Sequence, residues 1–124
     1  MQIDGKVSIW IGRFDSNEKL NKYVDQVYDD NENVRSAFMD DFIIPYYDHD
    51  FQEAYCDEKT GRVSVNTLLD PLSYSKSIIP QLLKINIENC NTIICLYNFV
   101  YDGRIKQNSG MNFIGVFDYD KKSE

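Results

Sequence analysis

Imidazole is almost missing from this chain: one histidine, His49, stands among 124 residues. That scarcity removes most schemes in which a base activates a serine or cysteine nucleophile, and any zinc site built on several histidines. The six glycines are scattered singly, so no phosphate-binding glycine loop, dinucleotide fingerprint or nucleophile elbow can be assembled. Cys56, Cys90 and Cys95 are odd in number and form no paired-cysteine motif, which speaks against a disulfide framework and a metal site. They are expected to be reduced, with Cys90 and Cys95 filling apolar space. No apolar run reaches the roughly 20 residues of a membrane helix, the longest, Thr92 to Val100, being broken by Asn98. Met1 to Lys6 leads into a strand-like alternation instead of the apolar core of a signal peptide, so the expected compartment is the cytoplasm.

Positive charge is also scarce where negative charge is dense. The chain carries 13 Lys and Arg against 20 Asp and Glu, a net −7 that disfavours nucleic acid and anionic membranes and favours a basic partner. From Asp25 to Glu58 there are eleven carboxylates against one cation, Arg35, so this stretch carries −10 and the remainder +3. Such a run is either a solvated face or a docking surface for a cationic protein.

What is present reads as one α+β domain over residues 1–124, a length suited to a single core. Lys6 to Phe14 alternates, with Val7, Ile9 and Ile11 on one face and Ser8, Trp10 and Gly12 on the other, as in a strand. Asp15 to Glu18 reads as a capping box opening a helix from Ser16 to Tyr28. Ser36 to Phe42 fits a short helix that Pro45 ends. Lys59 to Arg62 is a turn signal, and Val65, Leu68 and Leu69 suggest a helical turn or two closed by Asp70-Pro71. A second main helix is expected from Ser77, which would place Pro80 in its first turn, to Asn89, burying Ile79, Leu82, Leu83 and Ile87. Thr92 to Phe99, apolar on both faces, reads as a central strand, with Met111 to Asp118 as its antiparallel neighbour across a long hairpin loop. The fold expected is a small, mainly antiparallel sheet of three or more strands, with two main helices and short extra helices packed on it.

Asp48-His49-Asp50 is the one cluster with metal or acid-base potential, joined in an enzymatic reading by Asp40 and Asp41. Consecutive residues point in different directions and nothing completes the set, so no metal, cofactor or catalysis is expected. Nine Tyr and seven Phe serve either a core or an interface. Phe14, Phe38, Phe42, Phe113, Phe117 and Trp10 are assigned to the core. Tyr46, Tyr47, Phe51 and Tyr55, inside the acidic stretch, are divided between packing and partner contact. The partner-binding set is Asp29, Asp30, Glu32, Asp40, Asp41, Tyr46, Tyr47, Asp48, Asp50, Phe51, Glu53 and Tyr55.

Four stretches together carry a resemblance: VSIWIGRF with the helix start at Asp15 to Glu18, FMDDFIIPYYDHDF, PLSYSKS, and FIGVFDY. From Val7 to Tyr119 the chain resembles the immunity protein 22 family of bacterial polymorphic toxin systems. The matching residues are Trp10, Gly12, Phe42, Tyr47, Asp48, Phe51, Ser73, Tyr74, Ser75, Gly115 and Phe117, and His49 stands where another carboxylate would be expected. The resemblance implies an α+β antitoxin that neutralises a toxin, often a nuclease with a basic substrate face, by binding it in the cytosol. The reading from the residues alone keeps a second class open, a cytosolic protein-interaction or regulatory module.

Overall fold

The computed structural model describes residues 2–58, 68, 72–82 and 90–120. The chain is α+β; among the described residues it forms a five-stranded antiparallel sheet, a two-stranded hairpin and three α-helices. Strand β1 (Gln2–Gly12) occupies the middle of the sheet, between β5 (Thr92–Phe99) and β7 (Met111–Asp118). β4 (Gln52–Cys56) adds to the far side of β5, and β6 (Gln107–Asn108) to the far side of β7.

This order corrects one expectation: β5 and β7 are not neighbours, because β1 pairs with both. The alternation of β1 supplies the reason. Val7, Ile9 and Ile11 bury into one layer with Ile78, Leu82, Ile93 and Cys95, while Trp10 buries into the other with Leu20, Phe38, Phe42 and Ile94. A strand apolar on both faces belongs inside a sheet, covered twice. Trp10 is wholly enclosed, with Phe38 edge-on at 4.9 Å and Phe113 at 5.1 Å. Its indole N–H is the one buried side-chain polar atom without an acceptor among the described residues, a cost set against the area the ring buries. Gly12 is required where it stands, since a β-carbon there would lie 2.1 Å from the Gly110 carbonyl oxygen.

Helix α1 (Asn17–Val24) is capped by Ser16, whose hydroxyl accepts from the Lys19 amide; Asp15 is one residue too early and pairs with the Lys19 ammonium at 2.9 Å instead. The helix also ends four residues before the expected Tyr28. Val27–Tyr28 turn out as β2, paired with β3 (Val34–Arg35). The turn between them outcompetes helix continuation: Asp29 Oδ1 accepts from the amides of Asn31 and Asn33, and its own N–H donates to the Asn33 carbonyl.

Helix α2 (Ala37–Phe42) is capped by Ser36 and stopped by Ile43 in the left-handed conformation (φ 54°), two residues ahead of Pro45. Helix α3 (Ser75–Leu82) starts two residues before Ser77, which puts Pro80 beyond its first turn. Ile78 and Leu82 are its buried residues and Ile79 is partly buried, whereas Leu83 and Ile87 lie outside the described residues. Outside them as well are the turn at 59–62 and, except for the buried Leu68, the helical turns expected before Pro71.

A side-chain amide caps the outer strand β4, and another caps the end of β7 beyond its short pairing with β6. Asn17 Oδ1 accepts from the Cys56 amide at 2.9 Å while its Nδ2 donates to the Cys56 carbonyl at 2.8 Å, on the side of β4 away from β5. On the other side of the sheet, Gln81 donates to the Asp118 carbonyl and accepts from its amide. Each amide stands where another strand would pair.

Candidate functional site

The acidic stretch does not fold into one patch. Asp29 is spent on the hairpin turn, leaving Asp30 and Glu32 exposed at the tip beside Tyr28, which is 76% exposed, and Val27, 54% exposed. On α2, Asp40 pairs with Arg35 at 2.7 Å and Asp41 accepts the Tyr23 hydroxyl at 2.8 Å. Burial and that carboxylate both push the Tyr23 phenol up, so it remains a donor.

Residues 46–55 line one end of β5. Tyr46 is exposed, whereas Tyr47 is buried against Phe99, donates its hydroxyl to Gln52, and belongs to the core. Asp48 caps the short 3-10 turn His49–Phe51 by accepting from the Asp50 amide, so its carboxylate is engaged by the backbone. Asp50 is exposed and Phe51 is 38% exposed. Glu53 accepts from both the amide and the hydroxyl of Ser73, tying β4 to the start of α3. Tyr55 packs against the α3 layer. Among the described residues no three His, Cys, Asp or Glu side chains converge as a metal site would need.

Three adjoining cavities run past this segment. The first, of about 610 Å³, lies among Arg35, Ile43, Pro45, Phe99, Asp102 and Arg104. The second, about 360 Å³, shares Pro45 and Phe99 with it and adds Tyr46, Asp48 and Phe51. The third, about 340 Å³, shares Phe51, Tyr97 and Asn98 with the second and adds Asp50, Glu53 and Tyr74. Their shared lining residues put the three in series, from the base of the β2–β3 hairpin round to the start of α3, and this series is the candidate groove. Exposed Ile43, Tyr46 and Phe51 give it an apolar lip.

The sequence reading missed Ile43, Pro45, Tyr74 and Asn98 as lining residues. Among the described residues five non-glycine positions have positive φ, and three of them line this groove: Ile43 (φ 54°), Tyr74 (φ 61°) and Asn98 (φ 58°). Backbone held in such conformations costs energy and concentrates at ligand clamps and active sites. Asn98 carried a signal, being the polar interruption of the apolar run in β5. Its Oδ1 accepts from the Gly5 amide at 3.1 Å and the Tyr119 hydroxyl at 2.6 Å, bridging the β1 bulge between Gln2 and Val7. Its left-handed backbone also breaks the alternation, so that Leu96 and Phe99 enter the same layer.

The groove is electrically uneven. At its first cavity Arg35 is held by Asp40, and Arg104 by Asp102, whose carboxyl the guanidinium keeps below the usual range. At the third, neither Asp50 nor Glu53 has an ion-pair partner among the described residues. The thiols Cys56 and Cys95 are buried and pushed up by that burial, which keeps them protonated.

No helix among the described residues is long and apolar enough to cross a membrane. No curated protein and no solved structure matches the chain. The family model described as Immunity protein 22 matches residues 7–120, nearly the whole chain, and its name indicates an immunity protein. The chain that builds this aromatic, acid-rimmed groove belongs to the Immunity protein 22 family.

Proposed function

We propose that the protein is a stoichiometric antitoxin of a bacterial polymorphic toxin system, acting in the cytoplasm as a binder and not a catalyst, with a basic nuclease domain as its target. The carrying observation is this series of adjoining cavities, which combines an exposed apolar lip at Ile43, Tyr46 and Phe51 with the carboxylates of Asp48, Asp50 and Glu53. Apolar anchors supply contact area and slow dissociation, while negative charge steers a cationic partner and speeds encounter. A nuclease presents such a partner surface, because its own substrate is a polyanion. The exposed hairpin tip, with Tyr28, Asp30 and Glu32, extends the same chemistry past the Arg35 end of the groove.

The test is a titration of the purified protein against the toxin domain encoded beside it, with cleavage of nucleic acid as the readout. Loss of activity that is complete near one equivalent is the expected result. Cleavage unaffected at excess, with no complex by gel filtration, would overturn the antitoxin reading and leave a protein-interaction module of another kind.

A further inference from the structure

The two ends of the groove differ in what they could accept. The first cavity already contains the protein's own guanidinium groups, those of Arg35 and Arg104, each neutralised in place. The third contains the carboxylates of Asp50 and Glu53, with no cation paired to them among the described residues. Glu53 spends bonds on the Ser73 amide and hydroxyl, yet an ionised carboxylate offers about four acceptor positions, so capacity remains.

The walls of that cavity are aromatic. Tyr74, Tyr97 and Tyr119 form a triangle with ring centroids 4.9 to 5.4 Å apart, and Phe51 borders the opening. Tyr97 and Tyr119 are buried, with their hydroxyls committed to the Ser73 carbonyl and to Asn98, so they back the cavity while Phe51 and Tyr74 supply its more accessible aromatic surface. Aromatic faces beside uncompensated carboxylates are the chemistry that recognises a cation. A guanidinium suits it better than an ammonium, being planar, weakly hydrated, able to stack, and able to bond a carboxylate through two N–H groups.

We propose that the cavity between Phe51, Glu53 and Tyr74 receives an arginine side chain of the partner, and that this fixes the direction in which the partner lies in the groove. The proposal rests on the docking reading above and adds its anchor: the basic group enters at the Glu53 end, while at the other end Asp40 and Asp102 are already paired with the protein's own Arg35 and Arg104.

The probe is Nα-acetyl-arginine amide, titrated into the isotopically labelled protein and followed by NMR, with the neutral isostere Nα-acetyl-citrulline amide as its control. The expected result is saturable shifts of the Phe51 and Tyr74 rings and the Ser73 amide with the arginine compound alone. Asp50→Asn and Phe51→Leu should each weaken that binding several-fold, and Glu53→Gln at least about tenfold. Because Glu53 also holds Ser73, the first two variants decide the matter if the third perturbs folding. Equal shifts with citrulline, no saturable shift, or shifts confined to the hairpin tip would each overturn the arginine site. Toxin inhibition is read separately, so one equivalent still abolishing cleavage in the absence of arginine binding would remove the anchor and retain the antitoxin reading.

Discussion

Asn17 pairs with Cys56 as a neighbouring strand would, its carboxamide accepting the Cys56 amide at 2.9 Å and donating to the Cys56 carbonyl at 2.8 Å. The bond joins the first residue of α1 to the last of β4 and ends the hydrogen-bonding edge of that strand. Farther back along β4, the Gln52 amide is taken by the His49 carbonyl. A strand bordered in this way is a poor template for another chain, which is how natural sheets avoid edge-to-edge association.

Asn17→Ala should therefore do two things. Removing a partner from a buried amide and carbonyl should cost about 2 kcal/mol, read as a lower urea midpoint with unchanged slope. The opened edge should raise concentration-dependent scattering on warming. A variant as stable and as monodisperse as the parent would show that water replaces the carboxamide without loss.

Asn98 provides a graded test. Asn98→Ala loses the bonds to Gly5 and Tyr119 and leaves in the left-handed conformation a residue that tolerates it less well than asparagine, for a total of about 3 kcal/mol. Asn98→Gly loses the same bonds without the strain and should be about 1 kcal/mol less severe. The ordering of the two urea midpoints checks the assignment, since equal losses would mean that backbone conformation contributes nothing.

Alkaline pH should unfold the protein. Burial pushes the phenols of Tyr23, Tyr47 and Tyr97 and the thiol of Cys95 above their ordinary values of 10.0 and 9.0, so the unfolded chain ionises first. The folded state then holds more protons, and stability falls as pH rises past those ordinary values, by roughly 1.4 kcal/mol per pH unit for each group engaged. Below about pH 8 these groups contribute no slope. Urea midpoints measured from neutral pH upward check this, and Tyr97→Phe should flatten the decline while costing the bond to Ser73.

Charge reversal of the exposed acids separates binding from folding. Asp30→Lys, Glu32→Lys and Asp50→Lys together should slow association with a basic toxin domain at least about tenfold at low salt, and the deficit should shrink as salt is added. The urea midpoint should stay essentially in place, because none of the three side chains pairs with a cation among the described residues. Stopped-flow association rates that match the parent would place the interface elsewhere.

Much of the fold was legible wherever burial imposes a period. The alternation around Trp10 and the apolar run from Thr92 to Phe99 gave both central strands, and Ser36 with Phe38, Met39 and Phe42 gave α2. Strand order was not legible, because Met111–Asp118 carries the same pattern whether it lies beside β5 or beside β1. At Val27 and Tyr28 the helical stripe was genuine, and the local hydrogen bonds of Asp29 overrode it. The groove was half legible: Tyr46, Asp48, Asp50, Phe51 and Glu53 stood out by composition. Ile43, Tyr74 and Asn98 joined it through backbone conformations that no side-chain pattern announces, although an asparagine inside an apolar strand is a recognisable hint.

The place of β1 at the centre of the sheet has a consequence for synthesis. Its two partners, β5 and β7, both follow it far along the chain, so β1 must remain unpaired until residues 92–118 have been made. At roughly 5–20 residues per second that interval lasts several seconds, and the long-range closure that follows belongs to the slow class of folding reactions. On the antitoxin reading, each molecule becomes able to bind only after that closure, some seconds behind its own translation.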